Sequence, residues 1–345
     1  MNIKRKIIAT IVSVFMVANL LLAFAGCGAC EHEWGKFKTV NTATCTERGV
    51  KERTCELCGE VDTITFDTIA HKWQSATCTE PKTCKTCLAT EGEARGHIYA
   101  KKSILDKALK TPATNEDTNA VYYKSCSCGA VSDADSDTFI VKTMTGKNIL
   151  IFGDSYSSYK GNIPDGYRVY YDGTNILNNP NQMWYNLLVK ERGGNIVRND
   201  SSSGSTINTA GYHPFIDRLN TLYNQGFFTR NKIDYVYVLG GTNDNGSNDL
   251  GEEKYSDWSN GDLTQVLPAI CYFFCRLREI LPDAEIYGLV NSPKLKLAIS
   301  NAIVNACEYI DGKSVVLKDI DLSSGHPTSV GMNQIKTQVL AVFDM

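Results

Sequence analysis

From Lys147 to the C-terminus, short apolar runs alternate with longer stretches of helical periodicity, and this alternation restricts the fold more than any other feature of the chain. The apolar runs are Asn148–Phe152, Ile196–Arg198, Ile233–Leu239, Ala284–Val290 and Ser314–Leu317. They are nearly continuous, as strands buried on both faces are. Helices are expected near Gln182–Arg192, Pro214–Asn224, Leu263–Leu281, Leu295–Ile310 and Ser329–Val342. Such alternation closes most simply as a parallel sheet with helices on both faces. The expectation is therefore an α/β domain, a flavodoxin-like three-layer sandwich around a five-stranded parallel sheet, with ligands beyond the carboxyl ends of the strands.

Four short motifs sit at those strand ends and helix starts: Gly153-Asp154-Ser155, Ser203-Gly204-Ser205, Gly240-Gly241-Thr242-Asn243-Asp244 and Gly325-His326-Pro327. A serine hydroxyl is a poor nucleophile until a base takes its proton, and histidine titrates in the pH range where such a base is needed. From residue 144 onward the chain has two histidines, His213 and His326. His213 precedes Pro214 at a helix start and reads as a surface or capping residue. His326 stands ahead of the last expected helix, in Ser324-Gly325-His326-Pro327-Thr328.

The four motifs in this order resemble those of the SGNH (GDSL-type) hydrolases, over residues 147–345. The resemblance implies a serine esterase with Ser155 as nucleophile and His326 as base. It implies oxyanion donors in the backbone N–H groups of Ser155 and Gly204 and the side-chain amide of Asn243. These residue types fit an oxyanion hole, because glycine admits close approach of the main chain and an amide donates without carrying a charge. Each such donor is typically worth about 3–4 kcal/mol in the transition state. The family's triad acid lies three residues before the base, where this chain has Ser323. Asp321, five before, is the expected acid if the loop is longer; otherwise a backbone carbonyl or Ser323 leaves a Ser–His dyad. Asp154 is expected to be structural or orienting.

Ten of the thirteen cysteines precede residue 130, within an imperfect tandem repeat. His32-Glu33-Trp34, Ala43-Thr44-Cys45 and Cys55-Glu56-Leu57-Cys58 return as His71-Lys72-Trp73, Ala76-Thr77-Cys78 and Cys84-Lys85-Thr86-Cys87, and a third copy keeps Cys126-Ser127-Cys128. The repeats resemble cysteine-rich repeats ahead of catalytic domains in exported bacterial surface proteins. Grouping each lone cysteine with the next pair and the histidine beyond it gives two sets, Cys45, Cys55, Cys58 with His71, and Cys78, Cys84, Cys87 with His97. Three thiolates and an imidazole suffice for a closed structural zinc site. Units this small need a metal or a disulfide to fold; export favours disulfides, whereas the odd cysteine count and recurring histidine favour zinc. Residues 101–146 are polar and read largely as loop or linker.

Lys4, Arg5 and Lys6 followed by an apolar run from Ile7 to Ala25 read as an export signal. Phe24-Ala25-Gly26-Cys27 looks like a lipoprotein box that would make Cys27 a lipid anchor to the membrane; plain cleavage after Ala25 and a retained membrane anchor are the alternatives. The expected divisions are 1–26 signal peptide, 27–143 repeats and linker, and 144–345 hydrolase. A net charge of -3 and a pI near 6.0 provide no basic stripe for nucleic acid.

The expected function is an exported, surface-held esterase acting on O-acyl groups, acetyl on carbohydrate first, with no catalytic cofactor. An O-acetyltransferase acting on surface glycan and a non-catalytic glycan-binding module are the competing readings. Trp184 and Tyr185 read equally as cleft or core, Asp257 and Trp258 as a sugar-stacking pair, and Cys271, Cys275 and Cys307 as buried thiols.

Overall fold

The computed structural model describes residues 31–345 except Pro293. The segment expected as an export signal and Cys27 lie outside the described residues. Among the described residues no helix is long and apolar enough to cross a membrane. The chain forms two compact units that divide between His97 and Ile98.

The first unit holds two small antiparallel sheets. One is β1 (Lys38–Asn41), β2 (Gly49–Thr54) and β3 (Val61–Phe66); the other is β4 (Trp73–Gln74), β5 (Lys82–Cys84) and β6 (Thr90–Glu91). Apart from Ala43, the buried apolar side chains described in this unit are cysteines, namely Cys45, Cys55 and Cys84. Aliphatic residues such as Leu57, Val61, Ile69 and Leu88 are exposed. Among its described residues this unit has almost no hydrophobic core.

The second unit opens with an antiparallel sheet of β7 (Leu109–Thr111), β8 (Asn119–Tyr123) and β9 (Thr138–Lys142). Much of the stretch expected as linker is thus ordered and forms one unit with the hydrolase part. The strands are short and flanked by acidic turns, which hid them in the sequence. Their inward side chains include Ala120 and Val141, and Tyr122 stacks on Phe139 at 5.8 Å.

The parallel sheet follows as β10 (Asn148–Gly153), β11 (Asn195–Ser201), β12 (Tyr235–Leu239), β13 (Glu285–Val290) and β14 (Lys313–Val316), in spatial order β11-β10-β12-β13-β14. This is the flavodoxin-like order, as expected. Alternate residues of each strand face opposite sides of the sheet. Leu150, Phe152, Val236, Val238 and Ile286 pack under α2 (Phe215–Asn224), α4 (Val266–Ile280) and α5 (Leu297–Tyr309). Ile149, Ile151, Tyr237, Tyr287 and Leu289 pack under α1 (Trp184–Arg192) and α6 (Ser329–Phe343). The short α3 (Phe227–Arg230) follows α2. Cys307 is a buried thiol within the first of these layers and Cys271 is buried on α4, whereas Cys275, expected to be buried as well, is only partly so, lying one helical turn further along α4.

Candidate active site and cysteine clusters

Gly153 pairs with Ser201 on one side and Leu239 on the other, so three adjacent strands end level. Their loops carry Ser155, Gly204 and Asn243 away from one edge of the sheet. Gly153 must be glycine, because a Cβ there would lie 2.5 Å from Ser201 Oγ and 2.6 Å from Ser157 Cβ. The chain then turns at once: Asp154 Oδ1 accepts from Tyr156 N at 3.0 Å and Trp184 Nε1 donates to Ser157 Oγ at 3.0 Å. Trp184 and Tyr185 are fully buried, so they belong to the core beneath the turn rather than to a cleft. Burial lifts the Asp154 carboxyl to about 7.

His326 arrives from beyond the edge strand β14 on a hairpin of β15 (Leu322–Ser323) and β16 (His326–Pro327). The two linking residues, Ser324 and Gly325, have φ of 50° and 79°. Two positive φ values in a two-residue loop are what a type I′ hairpin turn requires. Two tyrosines pin the hairpin: Tyr156 donates to the Gly325 carbonyl at 2.8 Å and Tyr171 to that of Pro327 at 3.0 Å.

His326 Nε2 then lies 3.0 Å from Ser155 Oγ. Its other nitrogen, Nδ1, lies 3.2 Å from the Ser324 carbonyl. A carbonyl only accepts, so Nδ1 carries the proton and Nε2 presents its lone pair to the serine hydroxyl. The Tyr170 ring stacks on the imidazole, centroids 3.5 Å apart and planes 15° off parallel. Nothing in the sequence singles Tyr170 out, since it belongs to the irregular insertion after Ser155.

Asp321, expected as the acid, is placed elsewhere. Its carboxylate accepts from Thr328 Oγ1, its N–H donates to Gln334 Oε1 at 2.7 Å, and its carbonyl accepts from Thr328 N at 3.1 Å. Thr328 in turn caps α6 by accepting from Gly331 N at 3.2 Å. Asp321 thus clamps a helix start, and the partner of the imidazole Nδ1 is the Ser324 carbonyl instead. Asp321→Ala is accordingly expected to leave kcat within about threefold of wild type, whereas disabling a true triad acid costs about 10⁴-fold. A loss of a hundredfold or more in steady-state turnover would restore Asp321 to the triad.

Burial pushes the His326 imidazole below its ordinary value of 6.5; the Ser324 carbonyl opposes this, and the Lys294 ammonium adds to it. With His326 acting as the expected base, kcat/KM should rise with pH along a limb centred below 6.5 and then level off. Lys294→Gln removes a cation that disfavours the imidazolium and should move this limb upward. A pH–rate profile with a wild-type limb above 7 would contradict the assignment.

Gly204 has φ of 81°, open to glycine at little cost. Its loop is fixed from several sides. Ser205 Oγ donates to the Gly153 carbonyl at 3.3 Å, and Asn243 Nδ2 donates to the Ser205 carbonyl at 2.9 Å. One amide hydrogen of Asn243 is thereby used to set its orientation, leaving the other for a ligand. Asp244 is buried and accepts from Ile207 N, Asn208 N and Asn208 Nδ2 at 2.6–3.0 Å, tying the Gly204 loop to the Asn243 loop. Burial nevertheless pushes its carboxyl upward. Asp244 belongs to the Gly-Gly-Thr-Asn-Asp motif, but the sequence assigns it no partner. His213 lies apart, edge-on to Tyr167 at 4.3 Å, with its carbonyl taken by Arg218 Nε. Trp258 packs edge-on against Tyr272 of α4 and donates to the Lys254 carbonyl at 2.7 Å.

In the first unit the expected ligand sets are regrouped. Cys84 and Cys87 gather with Cys45 and His71, and Cys55 and Cys58 gather with His32, each set within 4.8 Å. Sequence grouping paired each cysteine pair with the histidine after it; the structure pairs it with the histidine before it. His32 was therefore missed, although its His-x-Trp phrase recurs. Cys78 and a ring nitrogen of His97 lie within 4.8 Å of one another, away from the pair they were grouped with.

The model of the GDSL-like lipase/acylhydrolase family matches residues 147–343. No curated protein matches the chain. A solved structure from Bacteroides ovatus described as a GDSL-like lipase is 31% identical, with a TM-score of 0.51, covering 57% of this chain and 97% of its own. A second so described, from Bacteroides uniformis, is 30% identical, with a TM-score of 0.51, covering 56% and 94%. With more than half its length matched, this chain belongs to the GDSL-like lipase/acylhydrolase family and is a carboxylic ester hydrolase.

Proposed function

We propose that the protein is an exported esterase that removes O-acyl groups, acetyl above all, from carbohydrate through an acyl-enzyme on Ser155. The observation that carries the reading is the 3.0 Å contact between Ser155 Oγ and His326 Nε2, with the tautomer set by the Ser324 carbonyl. In the first half-reaction Ser155 Oγ bonds to the acyl carbon as His326 Nε2 takes its proton. The oxyanion meets the N–H groups of Ser155 and Gly204 and the free hydrogen of Asn243. His326 returns the proton to the sugar oxygen as the C–O bond breaks. Water then attacks the acyl-enzyme, giving its proton to the same nitrogen and releasing the carboxylic acid and the serine.

Carbohydrate is favoured by the rim of the site. Exposed Arg168 stacks over Tyr212 at 3.8 Å, and its Nη1 lies 3.9 Å from where a Cβ on Gly204 would stand. Exposed guanidinium donors beside the Gly204 loop suit the hydroxyls of a sugar better than a long acyl chain. Export and lipid anchoring through Cys27 rest on the N-terminal sequence, and would hold the enzyme where such polymers lie. The test is acetate release by the full chain from acetylated xylan, pectin and peptidoglycan, with Ser155→Ala as control. Ser155-dependent release from one polymer supports the reading. Turnover of aryl acetates without release from any polymer would remove the carbohydrate assignment and leave the esterase.

A further inference from the structure

We propose that the first unit is held together by a zinc-class divalent cation bound between successive repeats, ligated by Cys45 from one copy and His71, Cys84 and Cys87 from the next. Zinc bonds of about 2.3 Å to sulfur and 2.0–2.1 Å to nitrogen place neighbouring tetrahedral ligands about 3.8 Å apart for two sulfurs and about 3.6 Å for sulfur and nitrogen. The Cys45 and Cys84 sulfurs are 3.9 Å apart, and Cys87 Sγ is 3.3 Å from His71 Nδ1. Disulfide bonding would require about 2.05 Å. The Thr86 N–H points at Cys84 Sγ at 3.5 Å, a backbone donor that favours the thiolate a metal needs.

Two independent observations point the same way. The same half-site recurs in the preceding copy, where Cys58 Sγ is 3.4 Å from His32 Nδ1. His32 stacks on Trp34 at 4.8 Å and 28°, and His71 on Trp73 at 4.9 Å and 29°, so each imidazole is held in one orientation by its own repeat. Moreover, three of the four buried apolar side chains described in the unit are cysteines of these two clusters, with Ala43 the fourth. A unit whose interior is its ligand set cannot draw its folding energy from aliphatic burial. Four protein ligands close the coordination sphere, so the ion is structural. Because Cys45 comes from the earlier copy, the ion joins one repeat to the next instead of stabilising each alone.

The full chain, purified without chelator, tests this by zinc content and by alkylation of individual thiols. Zinc should be bound, and stepwise removal with a chelator should make Cys45, Cys84 and Cys87 reactive together, as one group distinct from Cys55 and Cys58. Cys45→Ser should raise the alkylation rates of Cys84 and Cys87 at least tenfold while Cys55 and Cys58 keep their wild-type rates. Release of Cys45 together with Cys55 and Cys58 would overturn ligation across copies. So would wild-type Cys45, Cys84 and Cys87 blocked in disulfides with no bound metal. Should Cys45→Ser unfold the unit and expose every thiol, the wild-type release series decides the matter by itself.

Discussion

His326→Ala should lower kcat/KM on a small aryl acetate by about 10⁴–10⁶-fold, and Ser155→Ala by a similar factor, without loss of fold. The expectation follows from the 3.0 Å Ser155–His326 contact: without Nε2 no group named at the site can accept the serine proton. At about 1.4 kcal/mol per tenfold, the loss corresponds to roughly 5–8 kcal/mol of transition-state stabilisation. Serine and base act as a unit, so the double variant should be little worse than either single one. A residual rate above that of water should persist, because the N–H groups of Ser155 and Gly204 and the amide of Asn243 do not depend on the imidazole. The measurement is steady-state turnover paired with covalent labelling by a serine-directed phosphonate. Undiminished turnover in His326→Ala would mean that a different base serves Ser155. The same assay with Asp321→Ala separates a carboxylate-backed imidazole from one oriented by the Ser324 carbonyl.

Arg218→Ala should destabilise the hydrolase unit by about 3–5 kcal/mol, the range for stripping one partner from a buried ion pair. Arg218 and Asp200 are both buried, with Nη1 of the arginine 3.4 Å from Asp200 Oδ1 and also bonded to the Asp200 carbonyl. The guanidinium lies over the Phe215 ring at 4.5 Å. Its Nη2 reaches Ser205 Oγ at 3.2 Å and the Gly153 carbonyl at 3.4 Å. Truncation would leave the fully buried Asp200 carboxylate with the Arg198 guanidinium, 3.6 Å from its other oxygen, as its remaining cation, and loosen both Gly153 and Ser205. These residues flank the serine turn and the Gly204 donor. A displacement near 1 Å there can cost about 100-fold in rate, so kcat should fall even where the variant remains folded. Urea unfolding followed by loss of esterase activity gives the stability change. Replacing Asp200 as well by a neutral residue should recover part of it, because the cost lies in a buried charge that has lost its closer partner. A loss below about 1 kcal/mol in Arg218→Ala would show that Arg198 or water compensates the carboxylate.

The five strands of the parallel sheet and the main helices were legible because each depends on a local pattern. Apolar runs such as Val236–Leu239 are buried on both faces, and α4 keeps its helical spacing through Val266–Ile280. Ser155 and His326 were legible only through the resemblance of the four motifs taken in order, and the structure brings the two side chains together at 3.0 Å. The antiparallel strands of residues 109–142 were not legible, because their apolar positions are few and separated by polar turns.

By itself, then, the sequence determined the three-layer sheet through periodicity, and the resemblance carried by its four motifs pointed to Ser155 and His326. Tertiary structure decided how the imidazole is oriented and which thiols meet. Sequence separation suggested that Asp321 could reach His326, but two residues with positive φ close the hairpin so tightly that the Ser324 carbonyl meets Nδ1 first. Sequence order likewise assigned Cys55 and Cys58 to His71, whereas strand pairing carries His71 to Cys84 and Cys87 and brings Cys45 to them from the preceding repeat. In both cases the partners lie at the ends of turns and strands whose directions are set by long-range packing, and proximity along the chain carries no record of that direction.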